Sequence, residues 1–174
     1  MVARVILGGP GRLHHFGHVE VPVSTILFVD DHHALRTVFA ETLRSAGHVV
    51  LEAGTLADAE YLVERHSGPV DVLIVEVVLT TTNGRKVAER FQPMHPAMQV
   101  LFVSDRTPAT LSTGGLLPKG AHFLHKPFAA EDVIAAVGRL LRGAKPSAPK
   151  PQAKSSRVRR TRPKTLRTGS YRGS

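Results

Sequence analysis

The chain has 174 residues, with 23 Lys and Arg against 14 Asp and Glu, and it contains no Cys and no Trp. The absence of Cys excludes a disulfide framework, a thiolate zinc site and a cysteine nucleophile. The net charge of +9 is uneven: residues 1–24 hold two basic and one acidic side chain, residues 25–142 hold 11 and 13, and residues 143–174 hold ten and none. The basic excess therefore belongs to a tail. No apolar run approaches the roughly 20 residues of a membrane span, so we expect a soluble, cytoplasmic protein.

Residues 1–23 are rich in Gly and His and show no sustained period of two or 3.6. His14, His15 and His18 lie close together, but no fourth ligand follows at a fixed spacing, and we favour a solvated segment over a metal site. We therefore expect an irregular leader over residues 1–23.

From residue 25 onward, short apolar runs alternate with amphipathic stretches, a pattern typical of a parallel sheet with helices on both faces. The runs are rich in Val, Leu, Ile or Phe, as strands covered on both sides should be. The predicted strands are residues 25–29, 48–52, 70–75, 99–104 and 122–124. The sequence thus predicts one α/β domain with a five-stranded, doubly wound parallel sheet.

Five helices are predicted between and after these strands. Asp31 is placed to cap the first, and Thr55 with Asp58 forms a capping-box-like start to the second. Gly114, Gly115 and Pro118 should limit the fourth to about two turns. The predicted helices cover residues 33–46, a segment from residue 55, residues 84–91, a segment from residue 108, and residues 129–141.

Residues 143–174 consist mainly of Lys, Arg, Pro, Ser and Thr, a composition that buries too little apolar surface to offset chain entropy. We expect a disordered basic tail that contacts nucleic acid, if at all, through charge alone, because it has almost no aromatic side chains for stacking. Its candidate anion-binding residues are Arg157, Arg159, Arg160, Arg162, Lys164 and Arg167.

Polar and charged residues follow the predicted strands, at the carboxyl ends where a doubly wound sheet binds its ligand. Because parallel strands end at one edge of the sheet, these side chains should converge. Adjacent carboxylates repel unless a positive charge lies among them, which points to a lysine or a hard cation such as Mg²⁺. The residues are Asp30, Asp31, Glu76, Ser104, Asp105, Lys126 and Pro127.

From about residue 24 to residue 141 the chain resembles the receiver domain of bacterial two-component response regulators. The matching segments are TILFVDDHHALR, SAGHVVLEAGTLADAEYL, DVLIVEVVLTTTNG, VLFVSD and KGAHFLHKPF. The resemblance implies a flavodoxin-like fold with strand order 2-1-3-4-5, an aspartyl phosphate at the end of the third strand, and a Mg²⁺ ion beside it. By resemblance, Asp30 and Asp31 match the acidic pair near the metal, and with Glu76 they form the predicted magnesium site.

The resemblance also implies roles for residues on the later strands. Ser104 matches the hydroxyl that contacts a phosphoryl oxygen, Phe123 the aromatic switch, and Lys126 the cation that pairs with the phosphate. Pro127 matches a proline whose preceding peptide bond is usually cis. Gly84 matches the glycine that starts the third helix.

The resemblance fails at the phosphoacceptor position, where Glu76 replaces the usual aspartate. Phosphoryl transfer needs an accurately placed carboxylate oxygen, and Glu adds one methylene, roughly 1.5 Å of reach. We therefore expect weak phosphorylation or none. The longer side chain should carry its charge toward the phosphoryl position, where Ser104 can donate a hydrogen bond and Lys126 can form an ion pair.

Two further departures surround this position. Asp105 occupies a position that is usually small, and its negative charge should disfavour an incoming phosphodonor. Thr80 replaces a usual proline, and we expect the polar loop 80–83 to be mobile. The site is thus predicted to be a degenerate receiver site.

Histidines near the site suggest two other interpretations, neither of which we favour. A metal site using His32, His33 and His125 is not required, since exposed His residues are common at helix starts and loops. An acid–base pair of Asp105 and His125 lacks a nucleophile and an oxyanion hole. We expect no enzymatic activity.

The functional prediction is a stand-alone receiver-domain protein of a two-component phosphorelay that acts by protein–protein contact. The expected partners are a sensor histidine kinase, another signalling protein or a second copy, bound at the face of the fourth helix, fifth strand and fifth helix. One alternative is a nucleic-acid-associated regulator with a basic tail and a receiver that serves for dimerisation. The other is a working phosphoacceptor at Glu76, serving as a phosphate sink.

Overall fold

The structure, a computed structural model, describes residues 2–3 and 21–143. Its main sheet has five parallel strands, ordered β2-β1-β3-β4-β5. This arrangement confirms the predicted doubly wound α/β fold and the order 2-1-3-4-5. The strands are β1 (Thr25–Val29), β2 (Val49–Ala53), β3 (Val72–Glu76), β4 (Gln99–Ser104) and β5 (His122–His125).

Helices follow each strand and begin and end close to the predicted residues. The fourth helix is short, as the glycines after it predict. The helices are α1 (His33–Ser45), α2 (Leu56–Arg65), α3 (Gly84–Phe91), α4 (Pro108–Thr113) and α5 (Ala130–Leu141). None of the helices in the described ranges is long and apolar enough to cross a membrane.

Two hydrophobic cores lie on opposite faces of the sheet, because successive side chains of a strand point in opposite directions. In β1, Leu27 and Val29 pack with α2, α3 and α4, whereas Ile26 and Phe28 pack with α1 and α5. All four side chains are fully buried. This double burial explains why the central strands are largely apolar, and it holds their carboxyl ends in fixed positions.

Helix capping differs from the prediction at α1. His32 is the N-cap, and its Nδ1 accepts a hydrogen bond from the backbone N–H of Leu35 at 3.2 Å. The prediction that Asp31 caps this helix is wrong, because its carboxylate is held by Thr80. The predicted cap of α2 is confirmed: Thr55 Oγ1 accepts from the backbone N–H of Asp58 at 3.1 Å.

Part of the predicted irregular leader is paired. Val2–Ala3 and Val21–Pro22 form a two-residue antiparallel ladder separate from the main sheet. The predictions for the rest of the leader, including its three histidines, and for the tail after residue 143 fall on residues outside those described.

Candidate functional site

A lysine ammonium joins two buried carboxylates at the carboxyl edge of the sheet. Asp30 follows β1 and Glu76 ends β3, and these strands are neighbours in the sheet. Lys126 follows β5, and its Nζ lies 2.7 Å from Asp30 Oδ2 and 2.6 Å from Glu76 Oε2. The structure therefore brings together three of the residues that the sequence placed at this edge.

The other oxygen of each carboxylate accepts a backbone hydrogen bond. Asp30 Oδ1 accepts from the N–H of His32 at 2.9 Å, and Glu76 Oε1 accepts from the N–H of Val78 at 3.1 Å. Asp30 is fully buried and Glu76 is 6% exposed. Buried carboxylates are stable only when paired and hydrogen-bonded, and here both conditions hold.

The protonation state of Lys126 follows from its neighbours. Burial alone lowers the pKa of its ammonium, but hydrogen bonds and charge attraction from Asp30 and Glu76 outweigh burial. The pKa of Lys126 therefore lies above its ordinary value of 10.5. Lys126 is thus a permanent cation at neutral pH, and the two ion pairs persist there.

Asp31 is tied to the loop after β3. Both the backbone N–H and the hydroxyl of Thr80 donate to Asp31 Oδ2, the former at 2.8 Å. The hydroxyl bond is the main cause that holds the pKa of Asp31 below its usual 3.8, against a smaller opposing effect of burial. Asp31 is therefore an ionised, exposed carboxylate fixed to the loop rather than to Lys126.

Thr80, which replaces a usual proline, makes contacts that were not predicted from the sequence. It holds Asp31, and Val78 pairs with Asn83 in an isolated β-bridge within the same loop. Asn83 also caps α3 by accepting from the N–H of Lys86 at 3.0 Å. The signal available in the sequence was a hydroxyl residue just beyond Glu76, opposite the acidic pair, which a polar-loop interpretation overlooked.

Ser104 lies at the predicted position but does not make the predicted hydrogen bond to Glu76. It is fully buried at the end of β4, and its Oγ accepts from the backbone N–H of Arg106 at 3.4 Å. Within the described residues, no hydrogen bond joins Ser104 to Glu76, whose two oxygens contact the Val78 N–H and Lys126. The expected ion pair with Lys126 is thus present and the expected hydrogen bond from Ser104 is not.

Phe123 lies on β5, half-buried, between the core and a groove beside α4. The groove has a volume of about 540 Å³ and is lined by Pro108, Leu117, Pro118 and Phe123, among others. The Phe123 ring meets the His125 ring edge-on, with centroids 6.3 Å apart. Phe123 therefore links β5, the strand that precedes Lys126, to the surface next to α4.

Two backbone features match the sequence expectations. The peptide bond between Lys126 and Pro127 is cis, and the Lys126 N–H donates to the Ser104 carbonyl at 2.8 Å. Gly84 begins α3 against the main chain of β3, where a Cβ would lie 2.6 Å from the Glu76 carbonyl oxygen. Only glycine fits this close approach, so α3 packs directly behind the Glu76 backbone.

The response regulator receiver domain family matches residues 26–138. The chain belongs to this family. The receiver is 33% identical over 124 residues to the DNA-binding transcriptional regulator NtrC of a Bradyrhizobium strain, covering 70% of this chain but only 25% of that regulator. The response regulator receiver protein CpdR of Brucella abortus is 24% identical over 119 residues, which are 98% of its own length.

A solved structure shows the same architecture. The receiver domain from the hybrid histidine kinase CckA is 30% identical with a TM-score of 0.55, covering 67% of this chain and 98% of that one. Receiver domains are signalling modules rather than typical enzymes, and they interact with histidine kinases and other signalling proteins. The sequence prediction of a receiver of a two-component system is confirmed.

Receiver domains generally bind Mg²⁺ at this acidic site. In this receiver the acidic side chains of the site contact other protein groups. Both oxygens of Asp30 and both of Glu76 have protein partners, and Asp31 is turned to Thr80. Across residues 2–3 and 21–143, no group of three or more His, Asp or Glu side chains is arranged to hold a metal ion. The magnesium site predicted at Asp30, Asp31 and Glu76 stays a prediction.

Proposed function

We propose that this receiver acts in two-component signalling by protein–protein contact and does not depend on phosphorylation. The observation that carries the proposal is the 2.6 Å ion pair between Glu76 and Lys126. By family resemblance, Lys126 is the cation that pairs with a phosphoryl group. Here a side-chain carboxylate already holds that cation.

The surroundings of Glu76 also oppose phosphorylation. Attack on a phosphodonor would require a Glu76 oxygen to leave either Lys126 or the Val78 N–H. An incoming anionic donor would in addition meet the negative charges of Asp31 and the exposed Asp105. The site thus presents a fixed negative charge in place of one that a kinase adds and removes.

The proposed output surface is the face of α4, β5 and α5. This face includes the groove beside Phe123. Phe123 lies on β5, and Lys126 directly follows the end of that strand. A displacement of Lys126 can therefore reach this surface through the two residues that lie between it and Phe123 in the chain. The proposed occupants are a sensor histidine kinase, another signalling protein or a second copy of the receiver, in a cytoplasmic setting.

The match with CpdR covers nearly the whole of that response regulator receiver protein, which supports a role in which the receiver itself makes the functional contacts. The name of the NtrC relative refers to DNA binding, but this chain spans a quarter of its length. Binding of nucleic acid is therefore not the function that we propose.

Backbone amide spectra of Glu76→Gln would test whether the ion pair sets the state of the switch. We expect the amide signals of Ser104 and Phe123 to shift, because the amide side chain removes the charge that holds Lys126. Glu89→Gln is the matched control, since Glu89 makes an exposed ion pair with Arg85 on α3. Equal spectra for wild type and Glu76→Gln at Ser104 and Phe123 would contradict the proposal.

A further inference from the structure

The ammonium of Lys126 lies where its charge serves two carboxylates at once. Its distances to Asp30 and Glu76 differ by only 0.1 Å, at 2.7 and 2.6 Å. We propose that Lys126 supplies internally the positive charge that a divalent cation supplies elsewhere, so that this receiver keeps its acidic site assembled without Mg²⁺ and closed to it. The inference rests on the Glu76–Lys126 pairing of the proposed function.

The hydrogen bonds at the site leave few oxygens for a metal. Asp30 Oδ1 and Glu76 Oε1 accept from the N–H groups of His32 and Val78, and their second oxygens are held by Lys126. A cation that binds Asp30 or Glu76 would compete with these four contacts for the carboxylate oxygens. Each broken contact leaves a buried group unpaired, which opposes binding.

Geometry adds to this cost because Mg²⁺ requires nearly octahedral oxygen ligands at roughly 2.0–2.1 Å. Asp31 is the exposed carboxylate that could reach outward for an ion, but Thr80 fixes its Oδ2 with two hydrogen bonds. A bound ion would also stand beside the Lys126 cation. Three carboxylates and one ammonium leave the site with a net negative charge, which would attract a cation. The proposed exclusion of Mg²⁺ therefore depends on the positions of the oxygen ligands and not on net charge.

Calorimetric titration of the full-length chain with MgCl₂ tests this inference directly. Wild type should show no saturable binding up to about 10 mM, ten times the roughly 1 mM at which weak protein sites for divalent cations half-fill. Its thermal unfolding midpoint should likewise not change with Mg²⁺, because a ligand stabilises a fold only when it binds the folded state. Saturable binding to wild type near 1 mM would overturn the inference.

Variants at Lys126 supply the converse measurement. Lys126→Met leaves Asp30 and Glu76 without their cation, and it should gain Mg²⁺ binding at least tenfold tighter than the wild-type limit. Lys119→Met is the matched control, since Lys119 is an exposed lysine in the loop after α4 and should behave as wild type. If Lys126→Met does not fold, Lys126→Gln gives the same measurement with a side chain that still donates hydrogen bonds. A folded variant with no gain of affinity would also overturn the inference.

The titration separates this inference from the proposed function. If the Ser104 and Phe123 amide signals shift in Glu76→Gln but wild type binds Mg²⁺ saturably, the inference alone is overturned. Absence of Mg²⁺ binding combined with unchanged Glu76→Gln spectra would remove the proposed function alone.

Discussion

One methylene at residue 76 changes what the acidic site does. An aspartate at this position would end closer to its own strand, whereas Glu76 extends to Lys126 while its second oxygen caps the Val78 N–H. Because Glu76 is buried, the charge must be compensated locally, and Lys126 provides that compensation. We propose that this one residue both weakens phosphotransfer and stabilises the edge of the sheet.

Glu76→Gln should lower the free energy of unfolding by about 1–3 kcal/mol, because Lys126 and Asp30 remain a pair but one buried charge-assisted contact is lost. Urea unfolding measures the change. The control Glu89→Gln removes an ion pair whose two side chains are both about half exposed, and it should change stability by less than about 0.5 kcal/mol. Equal effects of the two substitutions would contradict the importance of the buried pair.

His48 makes stability depend on pH. It is buried, its Nδ1 lies 2.9 Å from Ser24 Oγ, and among the described residues its Nε2 has no hydrogen-bond partner. Burial lowers its pKa below 6.5, and Asp71 opposes this only in part. The unfolded state therefore binds a proton at a pH where the folded state does not, so stability is full above the unfolded pKa and declines as pH falls.

Urea unfolding from about pH 7.5 to 5.5 should show this decline, with a slope of at most about 1.4 kcal/mol per pH unit for one proton. His48→Asn keeps a side-chain oxygen for Ser24 and should flatten the slope. His122, whose pKa is also lowered by burial and by Arg139, contributes in the same direction and remains in that variant. An unchanged slope in His48→Asn would show that His48 is not the titrating group.

At the scale of elements, the carboxyl edge is held by contacts between loops. Thr80 joins the loop after β3 to Asp31 in the loop after β1. Lys126 joins the loop after β5 to Asp30, which follows β1, and to Glu76, which ends β3. The start of α3 lies directly behind the Glu76 main chain. The loops after β1, β3 and β5 and the start of α3 thus meet at this edge of the sheet.

Gly84→Ala tests the packing of α3 against this edge. Its Cβ would lie 2.6 Å from the Glu76 carbonyl oxygen, which is backbone and can only yield by moving β3 or α3. We expect a loss of about 1–3 kcal/mol in unfolding free energy, measured by chemical denaturation. Gly114→Ala is the control, since its nearest neighbours would be 3.6 Å away, and a similar loss there would point to a general glycine effect.

For the whole molecule, apolar patterning was sufficient to predict the strands, and the family resemblance implied their order. The central strands β1, β3 and β4 are largely buried on both faces, so apolar runs such as Val100 to Val103 are easily recognised as strands. The acidic residues that follow parallel strands then meet at one edge of the sheet. Side-chain directions were harder to predict. Asp31 pairs with Thr80, 49 positions away, and Ser104 bonds to the turn that follows it, choices that depend on loop conformation rather than on pattern.

The basic tail tests whether charge and fold are separable. Residues 143–174 contain ten Lys and Arg and no acidic residue, so removing them changes the formal charge from +9 to −1. We expect salt-sensitive retention on immobilised DNA to disappear, and the urea midpoint to stay unchanged because the core lies within residues 24–142. Retention that survives the deletion would assign nucleic-acid affinity to the receiver itself.

The most direct test of phosphorylation-independence is the intact mass of the chain after incubation with acetyl phosphate and Mg²⁺. We expect no gain of a phosphoryl group in wild type, whereas Glu76→Asp, which restores the usual acceptor, should gain one. Stoichiometric phosphorylation of wild type, at Glu76 or at Asp31, would contradict phosphorylation-independence.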